Sequence, residues 1–340
     1  MGEIIGAGVV SHVPTLMLSE EVRLELNEGK ELSIVTGLHR LRREVLDELA
    51  PDTIIVLDTH WMTTFEFVLS GHARRTGKYT SSELPRGMRQ VPYDLPGNPE
   101  LAEQIAQSVR DAGIRCIAND DPCIPIFYGT VNLAHYLHRG EQWISFSICQ
   151  TGQDKDYLTT GAALGKAIEN AGEKVVLLAS GGLSHRFWPM QQLDQHEASD
   201  PINIVTPEAR AADEQRVAWW EAGDHVAVID SMDEYRAHAP EGFFGHYLMM
   251  IAALGGRACS VPGRRFSDYE STAGTGQVHM WFDRPAEGCS LGACLDSGGM
   301  ARLHGILGAG LHVVHRSLNA SSSQISNRHV IRAPVINVFF

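Results

Sequence analysis

The chain has 340 residues, 44% hydrophobic and 20% charged, the composition of an ordinary globular protein long enough to bury a substantial core. Its formal net charge of −13 argues against nucleic acid and anionic membranes as partners, because phosphate surfaces would repel it. A small anionic substrate is not excluded, since a local Arg or Lys suffices to bind one.

The N-terminus, Met1-Gly2-Glu3-Ile4-Ile5-Gly6, has neither the basic start nor the apolar run of a signal peptide. Gly6 stands where a myristoylation motif requires Ser or Thr. Residues 4–10 predict a strand and 32–49 an amphipathic helix. Residues 53–57, Thr-Ile-Ile-Val-Leu, form a short β-branched run suited to a strand buried on both faces. Residues 78–97, rich in Pro, Ser and Gly, predict a long loop of the kind that often serves function. A helix over 98–112 is framed by Asn98 as cap, Pro99 in the first turn and Gly113 as stop. Strands are expected at 143–148, 174–179 and 277–282, and helices at 157–171, 206–221 and 243–254. The alternation implies an α/β fold: a single domain with a central mixed, mostly parallel sheet flanked by helices. No apolar stretch reaches membrane-spanning length.

From Cys289 the character changes. Asp296 is the only acid, there is no lysine, and regular patterning is lost. Residues 1–288 are thus expected to form the catalytic domain, and 289–340 an irregular, non-catalytic C-terminal extension. The six cysteines (Cys116, Cys123, Cys149, Cys259, Cys289 and Cys294) include no CxxC pair, which argues for free thiols in a reducing, cytoplasmic setting.

Three histidines share a context. His12, His60 and His185 each follow an apolar strand run, and open α/β sheets place their sites at the carboxyl ends of strands. One such histidine is weak evidence; three in equivalent places can converge. Glu241, in Ala239-Pro240-Glu241-Gly242, reads either as an acid favoured at a helix N-terminus or as a further donor. Two neutral imidazoles with one carboxylate make a face that suits iron(II) and leaves positions open.

Ordered motifs extend this reading. They are His12-Val13-Pro14-Thr15, Asp58-Thr59-His60-Trp61, Tyr79-Thr80-Ser81-Ser82-Glu83-Leu84-Pro85, Gly97-Asn98-Pro99-Glu100-Leu101, Tyr128-Gly129-Thr130, Ala179-Ser180-Gly181-Gly182-Leu183-Ser184-His185-Arg186-Phe187 and Gly274-Thr275-Gly276-Gln277-Val278. Over roughly residues 3–285 the chain resembles the class III extradiol ring-cleavage dioxygenases, the family of the protocatechuate 4,5-dioxygenase catalytic subunit. The homoprotocatechuate (3,4-dihydroxyphenylacetate) branch is nearest.

The resemblance implies Fe(2+) held by His12, His60 and Glu241, with His185 as the acid/base residue. It also implies a catechol substrate, dioxygen as co-substrate and a homo-oligomer. Many members carry a second active-site histidine in an Asp-His-Gly or Asp-His-Ala motif; this chain has Tyr128, which resembles the homoprotocatechuate and 2-aminophenol branches. A tyrosine hydroxyl can donate to bound oxygen but is a poor base; a packed aromatic is the plain alternative. Arg186, directly after the acid/base histidine, is the candidate for a substrate carboxylate, since its planar fork can bind one in bidentate fashion. Two other readings of the same residues are a zinc hydrolase and a Memo-like binding module without redox activity.

Overall fold

The computed structural model describes residues 2–85 and 87–284; the expectation for 289–340 lies outside the described residues. Twelve strands are present among them: β1 (Glu3–Val10), β2 (Thr53–Thr63), β3 (Phe67–Ser70), β4 (Arg74–Tyr79), β5 (Val91–Pro96), β6 (Cys116–Asn119), β7 (Gln142–Cys149), β8 (Lys174–Ser180), β9 (Gly263–Arg265), β10 (Glu270–Thr272), β11 (Thr275–Gln277) and β12 (Met280–Asp283). Eight form one sheet in the order β6-β3-β7-β2-β8-β1-β12-β9. Its centre, β7-β2-β8-β1, is parallel throughout. At one side β3 opposes β7; at the other, β12 and β9 add antiparallel. This is the mixed, mostly parallel α/β architecture that the sequence predicts.

The apolar runs are continuous because both faces of the sheet are covered. Along β2, Ile55 and Leu57 enter one core, with the helices Pro99–Asp111, Asp154–Ala171 and Gly245–Ala253. Ile54 and Val56 enter the other, beneath the helices Ser33–Leu41 and Tyr128–Leu137. The first cover is close: a Cβ on Gly161 would lie 2.1 Å from the Met249 carbonyl oxygen. The Pro99–Asp111 helix starts as its signals require, with the Asn98 side chain accepting from the Leu101 amide at 3.1 Å.

Four expectations need correction. β2 does not stop at residue 57 but runs to Thr63. Its register with β7 slips between Asp58, opposite Ser147, and Met62, opposite Ile148, so residues 59–61 bulge from the ladder. The helix expected over 32–49 is regular only over Ser33–Leu41. A wider turn follows over Arg42–Leu46, where buried Arg42 meets Asp47 at 2.7 Å and also Glu141. Much of the loop expected over 78–97 is the antiparallel ribbon of β4 and β5, leaving residues 80–90 as its connection. The strand expected over 277–282 is broken. β11 pairs with β10 and β12 with β1. Between them the Val278 and His279 amides donate to the hydroxyls of Ser11 and Ser267.

Among the described residues no helix is long and apolar enough to cross a membrane.

Candidate active site and metal centre

The carboxyl ends of β1, β2 and β8 are adjacent in the sheet, and the chain leaving each contributes to one site. His12, two residues beyond β1, is buried and held from both sides. Asn132 donates to its carbonyl at 2.6 Å, and its Nδ1 lies 2.7 Å from the Ser180 hydroxyl at the end of β8. His60 occupies the bulge in β2. Buried Asp58 fixes the backbone there, accepting from the His60 amide at 2.9 Å and from the Thr130 amide at 2.8 Å. It thereby ties the bulge to the first turn of the Tyr128–Leu137 helix.

Glu241 does not cap a helix. It begins a tight turn, Glu241–Phe244, and the regular helix starts only at Gly245. Gly242, Phe243 and Phe244 take left-handed backbone angles, with φ of 54°, 56° and 61°. At Gly242 a side chain would also meet Thr59, its Cβ lying 2.6 Å from the threonine methyl. The turn aims the Glu241 carboxylate inward, where the Thr59 hydroxyl donates to Oε1 and the Gly182 amide to Oε2.

His12 Nε2 and His60 Nε2 each lie 3.2 Å from Glu241 Oε1. The three potential ligand atoms all lie within 4.8 Å of one another. Buried His12 Nε2 has no hydrogen-bond partner. Where each Nδ1 donates, His12 to Ser180 and His60 to Glu83 (3.3 Å), both Nε2 atoms direct lone pairs at a carboxylate oxygen. A cation satisfies that arrangement, and buried His12 Nε2 finds no hydrogen bond there in its place. The donor set therefore fits a divalent metal.

The electrostatics agree. Burial alone would raise the Glu241 carboxyl, but positive charge at the neighbouring imidazoles of His12 and His185 holds it well below the ordinary range. Burial pulls His60 down, yet Glu241 and Glu83 outweigh it and hold this imidazole up at about 10. The pocket favours positive charge.

His185 sits at the same carboxylate, with Nε2 3.9 Å from Glu241 Oε2. It is held in an extended segment by an isolated bridge to Thr275 and by its amide on the Ala239 carbonyl at 3.1 Å. Asp213, buried in the helix Pro207–Ala222, grips the preceding residue through the Ser184 amide (3.1 Å) and hydroxyl (2.7 Å). Burial lowers the His185 pKa, so the ring is neutral near pH 7. Tyr128 reaches His60 Nε2 and Glu83 Oε2, the latter at 3.2 Å. Burial, then the charges of Glu241 and Glu83, raise its phenol, which stays a proton donor. Arg186 is exposed, spends its guanidinium on the Ala237 carbonyl and does not line the cavity.

That cavity, about 540 Å³, opens directly over His12, His60, Glu241, His185 and Tyr128. Its walls include Leu18, Val22 and Leu26 beside Phe187, and the volume suits a ligand of one aromatic ring. Three glutamates, Glu83, Glu197 and Glu241, line it; among the described residues no Arg or Lys does. Ser180 and Glu83 lie within motifs visible in the sequence, which do not say what either residue supports, and Asp213 lies outside them. They are ordinary polar residues whose partners lie far away in the chain.

Residues 6–282 match the family described as the catalytic LigB subunit of aromatic ring-opening dioxygenase. The chain belongs to this family and is an extradiol ring-cleavage dioxygenase. Among its relatives is the 3,4-dihydroxyphenylacetate 2,3-dioxygenase of Escherichia coli, 32% identical over 260 residues that cover 75% of this chain and 91% of that one. The 2-aminophenol 1,6-dioxygenase beta subunit of Pseudomonas sp is 27% identical over 54% of this chain and 63% of its own. The fold is shared with the crystal structure of an uncharacterized protein from Escherichia coli K12, with a TM-score of 0.56, 15% identity, and coverage of 82% of this chain and 99% of that one.

Proposed function

We propose that the enzyme binds one iron(II) through His12, His60 and Glu241 and opens the ring of 3,4-dihydroxyphenylacetate beside its diol. The product is then 5-carboxymethyl-2-hydroxymuconate semialdehyde. The observation that carries the metal assignment is the convergence of two histidines and one carboxylate, from three separate segments, under an apolar cavity. The substrate rests on the relative that is 32% identical.

When bound, the iron would supply a path for electron density from the substrate diol to dioxygen, the chemistry that a protein alone lacks. The chain supplies the rest. Thr59 and Gly182 occupy Glu241 oxygens and fix the carboxylate's orientation. His185, neutral and beside Glu241, takes a diol proton at Nε2 as the substrate binds and returns one as the ring opens. The Tyr128 phenol, kept protonated by burial and by the charges of Glu241 and Glu83, borders the same space and does not act as the base. Leu18, Val22 and Leu26 give the substrate ring an apolar wall to pack against.

A second reading has a specific observation behind it. Three glutamates and no described Arg or Lys line the cavity, which favours a ring without a carboxylate, such as 2-aminophenol. Protocatechuate, with its carboxylate on the ring itself, is the least suited. We further propose a homo-oligomer, as the family resemblance implies, and a cytoplasmic location. Cys116, Cys123 and Cys149 are free thiols, as a reducing compartment allows.

The test is reconstitution of chelator-treated protein with iron(II) or zinc(II) under anaerobic conditions. Iron alone should restore oxygen uptake with 3,4-dihydroxyphenylacetate, at one metal per chain. Zinc-supported hydrolysis without oxygen uptake would sink the iron assignment. A higher kcat/KM for 2-aminophenol would move the substrate to the second reading.

A further inference from the structure

Residues 80–90 connect β4 to β5, and the turn within them is built rather than loose. Ser81 is buried. Its amide donates to the Met88 carbonyl at 3.0 Å, and its hydroxyl accepts from the amides of Glu83 and Leu84 at 3.2 and 3.1 Å. Met88 is itself fully buried, so the turn is anchored at both ends. The result is to hold the Glu83 side chain over the rim of the site. Glu83 Oε1 lies 3.3 Å from His60 Nδ1, and Oε2 accepts from the Tyr128 hydroxyl at 3.2 Å.

We infer that Glu83 is a positioning residue for the metal centre, orienting His60 through Nδ1 and Tyr128 through its phenol. The inference rests on the reading of His12, His60 and Glu241 as ligands. A carboxylate on Nδ1 keeps the proton there, which leaves the Nε2 lone pair for the metal and makes the ring a stronger donor. His12 has only the neutral Ser180 hydroxyl in the equivalent place, so the two histidines are unequal ligands. With Nε2 committed to the metal, the single phenolic proton of Tyr128 has Glu83 Oε2 as its acceptor. The carboxylate is 56% exposed on its outer side, whereas the His60 ring it meets is 17% exposed. It is therefore replaceable without opening the core.

The test is the iron(II) dissociation constant of the full chain, measured anaerobically by competition with a chromogenic chelator, beside the thermal midpoint without iron. Glu83→Ala should weaken iron binding about 10–100-fold with an unchanged midpoint. Glu83→Gln keeps an acceptor for Nδ1–H and should fall between Glu83→Ala and wild type. Asp94→Asn, which removes a charge from the same ribbon where it pairs with Arg74, should bind iron as wild type does. Wild-type affinity in Glu83→Ala, an equal loss in Asp94→Asn, or no recovery in Glu83→Gln would each overturn the assignment of Glu83. Failure of the wild-type chain to bind iron is a different result, and it would overturn the metal reading together with this one.

Discussion

His185 and Tyr128 face one cavity, and burial drives their protonation in opposite chemical directions. It favours the neutral form of each, which makes the imidazole a proton acceptor and the phenol a proton donor. Proton transfer by a positioned side chain contributes roughly 10²–10⁴-fold in rate. His185→Phe should therefore retain iron and bind substrate but turn over slower by a factor in that range; a wild-type rate would show that another group moves the protons. His12, His60 and His185 are legible in the sequence because each follows an apolar run that can only be a buried strand. Glu241 is ambiguous there, since an acid ahead of an apolar helix has a commonplace use at the helix terminus. Only the left-handed turn over residues 242–244, invisible to periodicity, aims it at the histidines instead.

The elements that carry these residues differ in how plainly they declare themselves. β8 and the first half of β2 are apolar on both faces, β7 carries Ile144, Phe146 and Ile148 on one, and these runs read directly. β4 has no buried residue, and its partner β5 buries only Val91 and Leu95 between a proline and polar residues, so neither strand shows the apolar run that would reveal the ribbon. The bulge at residues 59–61 and the break at Val278 and His279 are likewise matters of backbone pairing, which side-chain pattern does not encode. Asp213 reads as a surface acid in a polar helix. It is fully buried, however, and also accepts from the hydroxyls of Tyr235 and Tyr269, each at 2.8 Å. Burial outweighs these hydrogen bonds and raises its pKa from 3.8 to about 6. Between those values the unfolded chain releases a proton that the folded chain keeps, so this group lowers stability as pH rises through the window. Asp213→Asn cannot ionise. Its stability relative to wild type should improve as pH rises from about 4 to about 6.5, read as the difference in thermal midpoints. A pH-independent difference would contradict the assignment.

Across the whole molecule, the family match ends at residue 282, and the described structure ends two residues later. We propose that residues 289–340 take no part in the chemistry, because every motif of the site precedes them. Truncation after Gly288 should leave iron content and turnover unchanged; loss of activity or of oligomeric state would make the extension part of the working enzyme. The central claim is that a His-His-Glu centre on this α/β scaffold opens a catechol ring with dioxygen. It is tested most directly in an oxygen electrode with iron-loaded protein and 3,4-dihydroxyphenylacetate, while the coloured semialdehyde is followed by absorbance. The account predicts one oxygen consumed for each ring opened, and neither signal from His60→Ala. Product formed without oxygen uptake, or full activity in His60→Ala, would contradict it.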